Sequence, residues 1–195
     1  MRGWRVYSLV QGGCDFTTTD RIRFVGDQGA CRRWRERIPR WLQERPEIKT
    51  VFFTQNNSYE GALEEEVASY QAAWAKLPPS VEQVVVIRDN PKSRPFALRC
   101  VARAMRARRD PARACRSQRR IALVEDRAVI AAKRLARPNL KVIDLTSHFC
   151  DSRFCFPVVG GALVYAEGSH QTPEFNRTLA PYLLKALEAP AQPGA

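Results

Sequence analysis

The chain has 195 residues, with 32 Lys+Arg against 20 Asp+Glu, a net charge of +12 and a pI near 10.0. Its 45% hydrophobic content and 4 Trp suffice for a packed core, which excludes a wholly disordered basic protein. It contains no apolar run of membrane-spanning length, and Met1 to Arg5 lead into no signal-peptide core, so no export signal is read in this chain.

Trp4–Val10 alternates like a strand, ended by Gly12-Gly13. Residues 14–30 read as loop. Trp34, Ile38, Trp41 and Leu42 then share one helical face, with Pro39 placed to kink or shorten it. Lys49–Thr54 reads as a buried strand. Leu63, Val67, Tyr70, Trp74 and Leu77 predict an amphipathic helix closed by Pro78-Pro79. Gln83–Ile87 is a short apolar strand of the parallel-sheet kind, ended by Asp89-Asn90-Pro91. A helix is expected over 97–107, and Ile121, Val124, Ala128, Ala131 and Leu135 suggest another helical face. Leu140–Leu145 is the last core strand. Phe156–Tyr165 reads as two short strands about Gly160-Gly161. The final helix has Thr172 as N-cap, Pro173 in its first turn and Glu174 beside its positive end, with Pro181 inside. Residues 1–188 are expected to form one domain, and 189–195 a mobile Pro/Ala-rich tail.

Strands alternating with helices predict an α/β class fold, a three-layer α/β/α sandwich with a mostly parallel sheet. Functional residues gather beyond the carboxyl ends of such strands. Gly12-Gly13, Asn56-Asn57 and Glu167-Gly168-Ser169-His170 fall there.

The six cysteines form no C-x-x-C, and the chain has 2 His, which argues against structural zinc. Their grouping fits disulfides Cys14–Cys31, Cys100–Cys115 and Cys150–Cys155, each closing a short local loop; buried free thiols are the other reading. Of the basic residues, 26 are Arg, and ten of these lie between Arg94 and Arg120, where Asp110 is the sole acid. Such a cluster reads either as a solvated surface or as a phosphate-contacting patch. No nucleic-acid-binding motif organises it.

Glu167 and His170, three residues apart, allow a carboxylate to face an imidazole, fixing its tautomer and stabilising its cation. A surface salt link is the plainer alternative. The surroundings favour chemistry, because Gly160-Gly161-Ala162-Leu163-Val164-Tyr165, Glu167-x-x-His170, Thr172 and Leu179-Ala180-Pro181-Tyr182-Leu183 resemble the end of SGNH domains. The resemblance is to those fused to the membrane acyltransferase 3 family. Ile87-Arg88-Asp89-Asn90-Pro91 with Cys100, Cys14 with Cys31 and Trp34, and Cys150 with Cys155 are similar to the same group, over nearly all of residues 3–188.

That resemblance implies a flavodoxin-like sandwich on the extracytoplasmic side of a membrane. It implies ester chemistry on cell-envelope carbohydrate by a Ser nucleophile, an oxyanion hole and a terminal Asp-x-x-His pair, with no cofactor. His170 matches the general base and Glu167 the orienting acid, one methylene longer than Asp. Gly13 is matched to a backbone oxyanion donor, and Asn56 or Asn57 to an amide donor, by position after a strand.

The family's Gly-Asp-Ser block has no counterpart here. None of Ser8, Ser58, Ser69, Ser80, Ser93, Ser117, Ser147, Ser152 and Ser169 follows Gly-Asp or lies in G-x-S-x-G. Gly26-Asp27-Gln28 offers only an amide. The expectation is therefore a truncated, inactive domain whose nucleophile strand, export signal and membrane acyltransferase domain lie upstream. In a 2-1-3-4-5 sheet that strand is central. Its loss removes several buried side chains worth ~1.5–3 kcal/mol each, against a net stability of ~5–15 kcal/mol. Poor folding of the isolated chain follows unless another strand inserts. Two other functions stay open: a non-catalytic carbohydrate- or partner-binding domain, and a basic nucleic-acid-binding protein.

Overall fold

Three short apolar runs build the sheet. A computed structural model describes residues 3–19, 28–56, 61–167 and 170–189. The strands and helices, in chain order, are α1 (Gln28–Gln43), β1 (Thr50–Phe53), α2 (Leu63–Trp74), β2 (Gln83–Ile87), α3 (Ala97–Arg106), α4 (Pro111–Ala114), β3 (Ser117–Gln118), α5 (Arg119–Ala122), α6 (Arg127–Leu135), β4 (Leu140–Ile143), β5 (Phe154–Cys155), β6 (Val158–Val159), β7 (Ala162–Leu163), β8 (Tyr165–Glu167), β9 (His170–Gln171) and α7 (Pro173–Glu188).

The main sheet is parallel, in the order β1-β2-β4, with Val51 opposite Val84 and Val86 opposite Val142. Val84, Val85 and Val86 are all buried, as a central strand covered on both faces requires. On one side, Val67, Tyr70 and Trp74 of α2 pack with Ala128, Ala131 and Ala132 of α6 and with Ile38 and Leu42 of α1. The small residues of α6 let α2 approach closely. This is the α/β fold with a parallel sheet that the sequence predicts.

Two expectations are corrected. Trp4–Val10 is in no strand, and residues 3–12 are all exposed. Neither this run nor the outer edge of β1 has a ladder partner among the described residues. A β-prone sequence without a neighbouring strand leaves its amides to water. Tyr7 does make one edge-on ring contact with Trp41, 5.3 Å between centroids. Second, Ile121 and Val124 do not share the α6 face. Asp126 is the N-cap of α6 and accepts from Val129 N at 3.1 Å, so the helix starts at Arg127 and both apolar residues stay exposed.

All three disulfides form: Cys14–Cys31, Cys100–Cys115 and Cys150–Cys155, separated by 17, 15 and 5 residues. The first ties the segment before α1 onto that helix. Buried Arg35 holds the same segment, donating from Nε to Asp15 O at 2.7 Å and from a terminal nitrogen to Thr19 O. The helix α1 runs through Pro39.

The last helix is fixed at both ends. Thr172 accepts from Phe175 N at 3.2 Å and donates to Leu163 O at 2.5 Å. At the other end, buried Lys141 of β4 donates from Nζ to Leu187 O at 2.8 Å and also to Ala189 O. An ammonium at a helix C-terminus meets both the free carbonyls and the negative end of the dipole. Replacing Lys141 by Met keeps the aliphatic stem and removes these bonds. Lys141→Met is expected to lower unfolding free energy by about 1–2 kcal/mol, read by urea denaturation, with faster amide exchange in the last turn of α7.

Candidate active site

Each loop that leaves the carboxyl end of the parallel sheet is tied to a neighbour. After β1, the Asn56 side-chain carbonyl accepts from Lys92 Nζ. After β2, Lys92 Nζ also pairs with Asp89 Oδ2 at 2.7 Å, with both side chains largely covered. Asp89 N donates to Asp126 Oδ2 at 2.9 Å, so the buried α6 cap also holds the β2 loop. After β4, Asp144 approaches Arg88 Nε at 3.8 Å and accepts from Thr146 N at 2.8 Å.

The hairpin β8–β9 is joined to this end of the sheet by one buried phenol. Tyr165, 4% exposed, donates from its hydroxyl to Pro91 O at 2.7 Å. Burial, and secondarily the Asp89 carboxylate, push the Tyr165 phenol well above the usual tyrosine range. It is therefore a hydrogen-bond donor at any physiological pH.

Glu167 and His170 end the two strands of that hairpin and are register partners. Glu167 Oε1 lies 3.7 Å from His170 Nδ1, with the side chains 82% and 81% exposed. This is ion-pair distance when the ring is protonated, and is long for a hydrogen bond. Closing it by rotamer adjustment would direct Nδ1–H to the carboxylate and leave Nε2 to exchange a proton with a hydroxyl. An antiparallel strand pairing brings these two residues, three apart in sequence, directly opposite each other.

The other expected site residues are placed less closely. Gly13 sits in a turn closed by Cys14 N donating to Gln11 O at 3.1 Å, and its φ of 71° is one that glycine favours. It does not follow a strand, since Trp4–Val10 forms none, and no hydrogen bond ties it to the β8–β9 hairpin among the described residues. Asn56 is at the carboxyl end of β1 as expected. Asn57 lies outside the described residues, as does Ser169. Sequence reasoning passed over Lys92, Asp126 and Tyr165. Asp126 had a usable signal, an N-cap residue before a helical apolar pattern; the tie from Tyr165 to Pro91 spans 74 residues and had none.

Two surface clefts lie elsewhere. One is lined by Arg119, Arg120, Arg153 and Phe154, the other by Phe16, Thr17 and the Arg32–Arg40 face of α1. Neither includes Glu167 or His170.

A parallel α/β sheet whose carboxyl-end loops brace a carboxylate–imidazole hairpin defines an α/β domain with a candidate acid–base site. The family model described as "SGNH domain (fused to AT3 domains)" matches residues 1–185, and the chain belongs to that family. No curated protein and no solved structure matches the chain.

The raised Tyr165 pKa has a definite sign. The folded phenol holds its proton more tightly than an unfolded one, whose ordinary value is 10.0. Its stabilisation is complete below that value and is lost as pH rises through the folded one. Tyr165→Phe is expected to cost about 1 kcal/mol at neutral pH. The wild type is expected to lose stability above about pH 10 more steeply than the variant, read as denaturation midpoint against pH.

Proposed function

We propose that this chain is the SGNH part of an O-acyltransferase or esterase acting on cell-envelope carbohydrate, on the extracytoplasmic face of a membrane beside a membrane acyltransferase domain. Membership of a family described as fused to AT3 domains supports an acyltransferase partner domain and a membrane-associated protein. Among the described residues no helix is long and apolar enough to cross a membrane. The observation that carries the chemical reading is the Glu167–His170 pair, 3.7 Å apart on a hairpin braced by Tyr165.

In this reading, Glu167 orients His170 and stabilises its cation. Nε2 of His170 takes the proton of an attacking hydroxyl and returns it to the departing alcohol. Asn56 supports the oxyanion. An ammonium only donates, so its contact with Lys92 assigns the Asn56 carbonyl to Lys92 and leaves the amide N–H2 to face developing charge. Gly13 N–H is the second donor in the same reading.

The hydroxyl that attacks is not supplied by any Gly-Asp-Ser or G-x-S-x-G in these 195 residues. With the acid–base pair alone, in full contact with water, the chain is expected to be catalytically silent. Purified chain and a His170→Ala variant should hydrolyse p-nitrophenyl acetate at the same background rate. Turnover well above that background, abolished by His170→Ala, would show that a nucleophile is present here after all.

A further inference from the structure

Between Asp89 and Asp110 the chain has no acidic residue, but has Lys92, Arg94, Arg99, Arg103, Arg106, Arg108 and Arg109. The helix α3 sits in this stretch. Its Ala97, Val101 and Ala104 are buried, and Val101 and Ala104 pack with Cys115, Val158 and Leu163. Arg99, Arg103 and Arg106 follow at i, i+4 and i+7, so they share a row that faces away from that core. All three are exposed, and none has a carboxylate partner among the described residues.

A purely solvated basic helix would carry polar residues beside that row. Here the flank is apolar instead: Leu98, Ala102 and Met105 share the next i, i+4, i+7 row, all exposed, Met105 at 64%. At the N-terminal end Phe96 stands 70% exposed, with the Arg99 guanidinium 5.1 Å from its ring centre. Guanidinium groups placed beside exposed Phe, Leu and Met match an interface of phosphates above acyl chains, where charge and apolar burial add.

We infer that the outer face of α3, from Phe96 to Arg109, docks on a bilayer surface rich in anionic phospholipid headgroups. Arg99, Arg103 and Arg106 bind the phosphates. Phe96, Leu98 and Met105 enter the headgroup–acyl boundary. Because α3 packs against β8, docking also sets the orientation of the Glu167–His170 hairpin relative to the membrane. The inference rests on the membrane-side placement proposed above, not on catalysis.

The test is co-sedimentation of the full chain with phosphatidylcholine vesicles, with and without phosphatidylglycerol. Binding is expected only with phosphatidylglycerol, and is expected to weaken as salt rises. A variant carrying Arg99→Glu, Arg103→Glu and Arg106→Glu should lose at least about a hundredfold in partitioning, since each surface Arg contributes about fivefold. A second variant, Phe96→Ser with Met105→Ser, should also weaken binding, while both keep the wild-type circular dichroism spectrum. Absent binding to anionic vesicles, or binding unchanged in the charge variant, overturns the inference. So does equally tight binding of a single-stranded oligonucleotide that Phe96→Ser with Met105→Ser leaves unaltered, which would assign the patch to nucleic acid. Sedimentation reads no turnover, so its failure and that of the esterase reading are separable.

Discussion

Loops at the carboxyl end of a parallel sheet must satisfy their backbone groups without a ladder, and this constraint organises the candidate site. Asp126 meets it twice, accepting from Val129 N inside α6 and from Asp89 N in the β2 loop. Tyr165 meets it at Pro91 O, whose residue has no N–H of its own to offer. Lys92 spans Asp89 and Asn56 and so joins the exits of β1 and β2. These are bonds to charged or buried groups, the kind that cost most when one partner is removed. They leave the Glu167–His170 hairpin attached to the sheet end rather than free in solvent.

Away from the main sheet the apolar clusters are small, and two of the three cross-links fall there. Cys115 is part of a cluster with Val101 and Ala104, and Cys150 and Cys155 belong to the one around Phe149, Val164 and Phe175. Cross-linking a loop of about 15 residues removes unfolded-state entropy worth about 3 kcal/mol in the chain-entropy model. That is at the upper end of what such a cluster gains from one further buried side chain, about 1.5–3 kcal/mol. The Cys100–Cys115 bond also holds α3 and α4 together as one basic surface unit, so the placement of the Arg rows does not depend on a large core beneath them.

What the sequence revealed tracks how local each cause was. Gln83–Ile87 was legible because a strand covered on both faces must be apolar throughout. The hairpin at Gly160-Gly161 was legible because φ of 55° and 81° suits glycine best. The pairing of the cysteines followed from short loops. Trp4–Val10 misled because alternation reports the taste of a strand for a partner and not the partner's presence. Ile121 and Val124 misled because one Asp at a cap outranks apolar periodicity over a single turn. The link from Tyr165 to Pro91 was invisible, since both residues look ordinary until the fold brings them together. So the proximity of Glu167 and His170 was readable from their spacing, whereas the bracing of their hairpin was not.

Exposure decides what the hairpin is capable of. Glu167 and His170 stand in water, where a carboxylate–imidazole pair at 3.7 Å gains little. Proton relay by such a pair is efficient only when water is excluded and the local dielectric falls. Nothing described in the chain covers them, while the basic and apolar surface of α3 belongs to a helix packed on the same strand. Chemistry at this pair and burial against a membrane or a neighbouring domain are therefore coupled requirements.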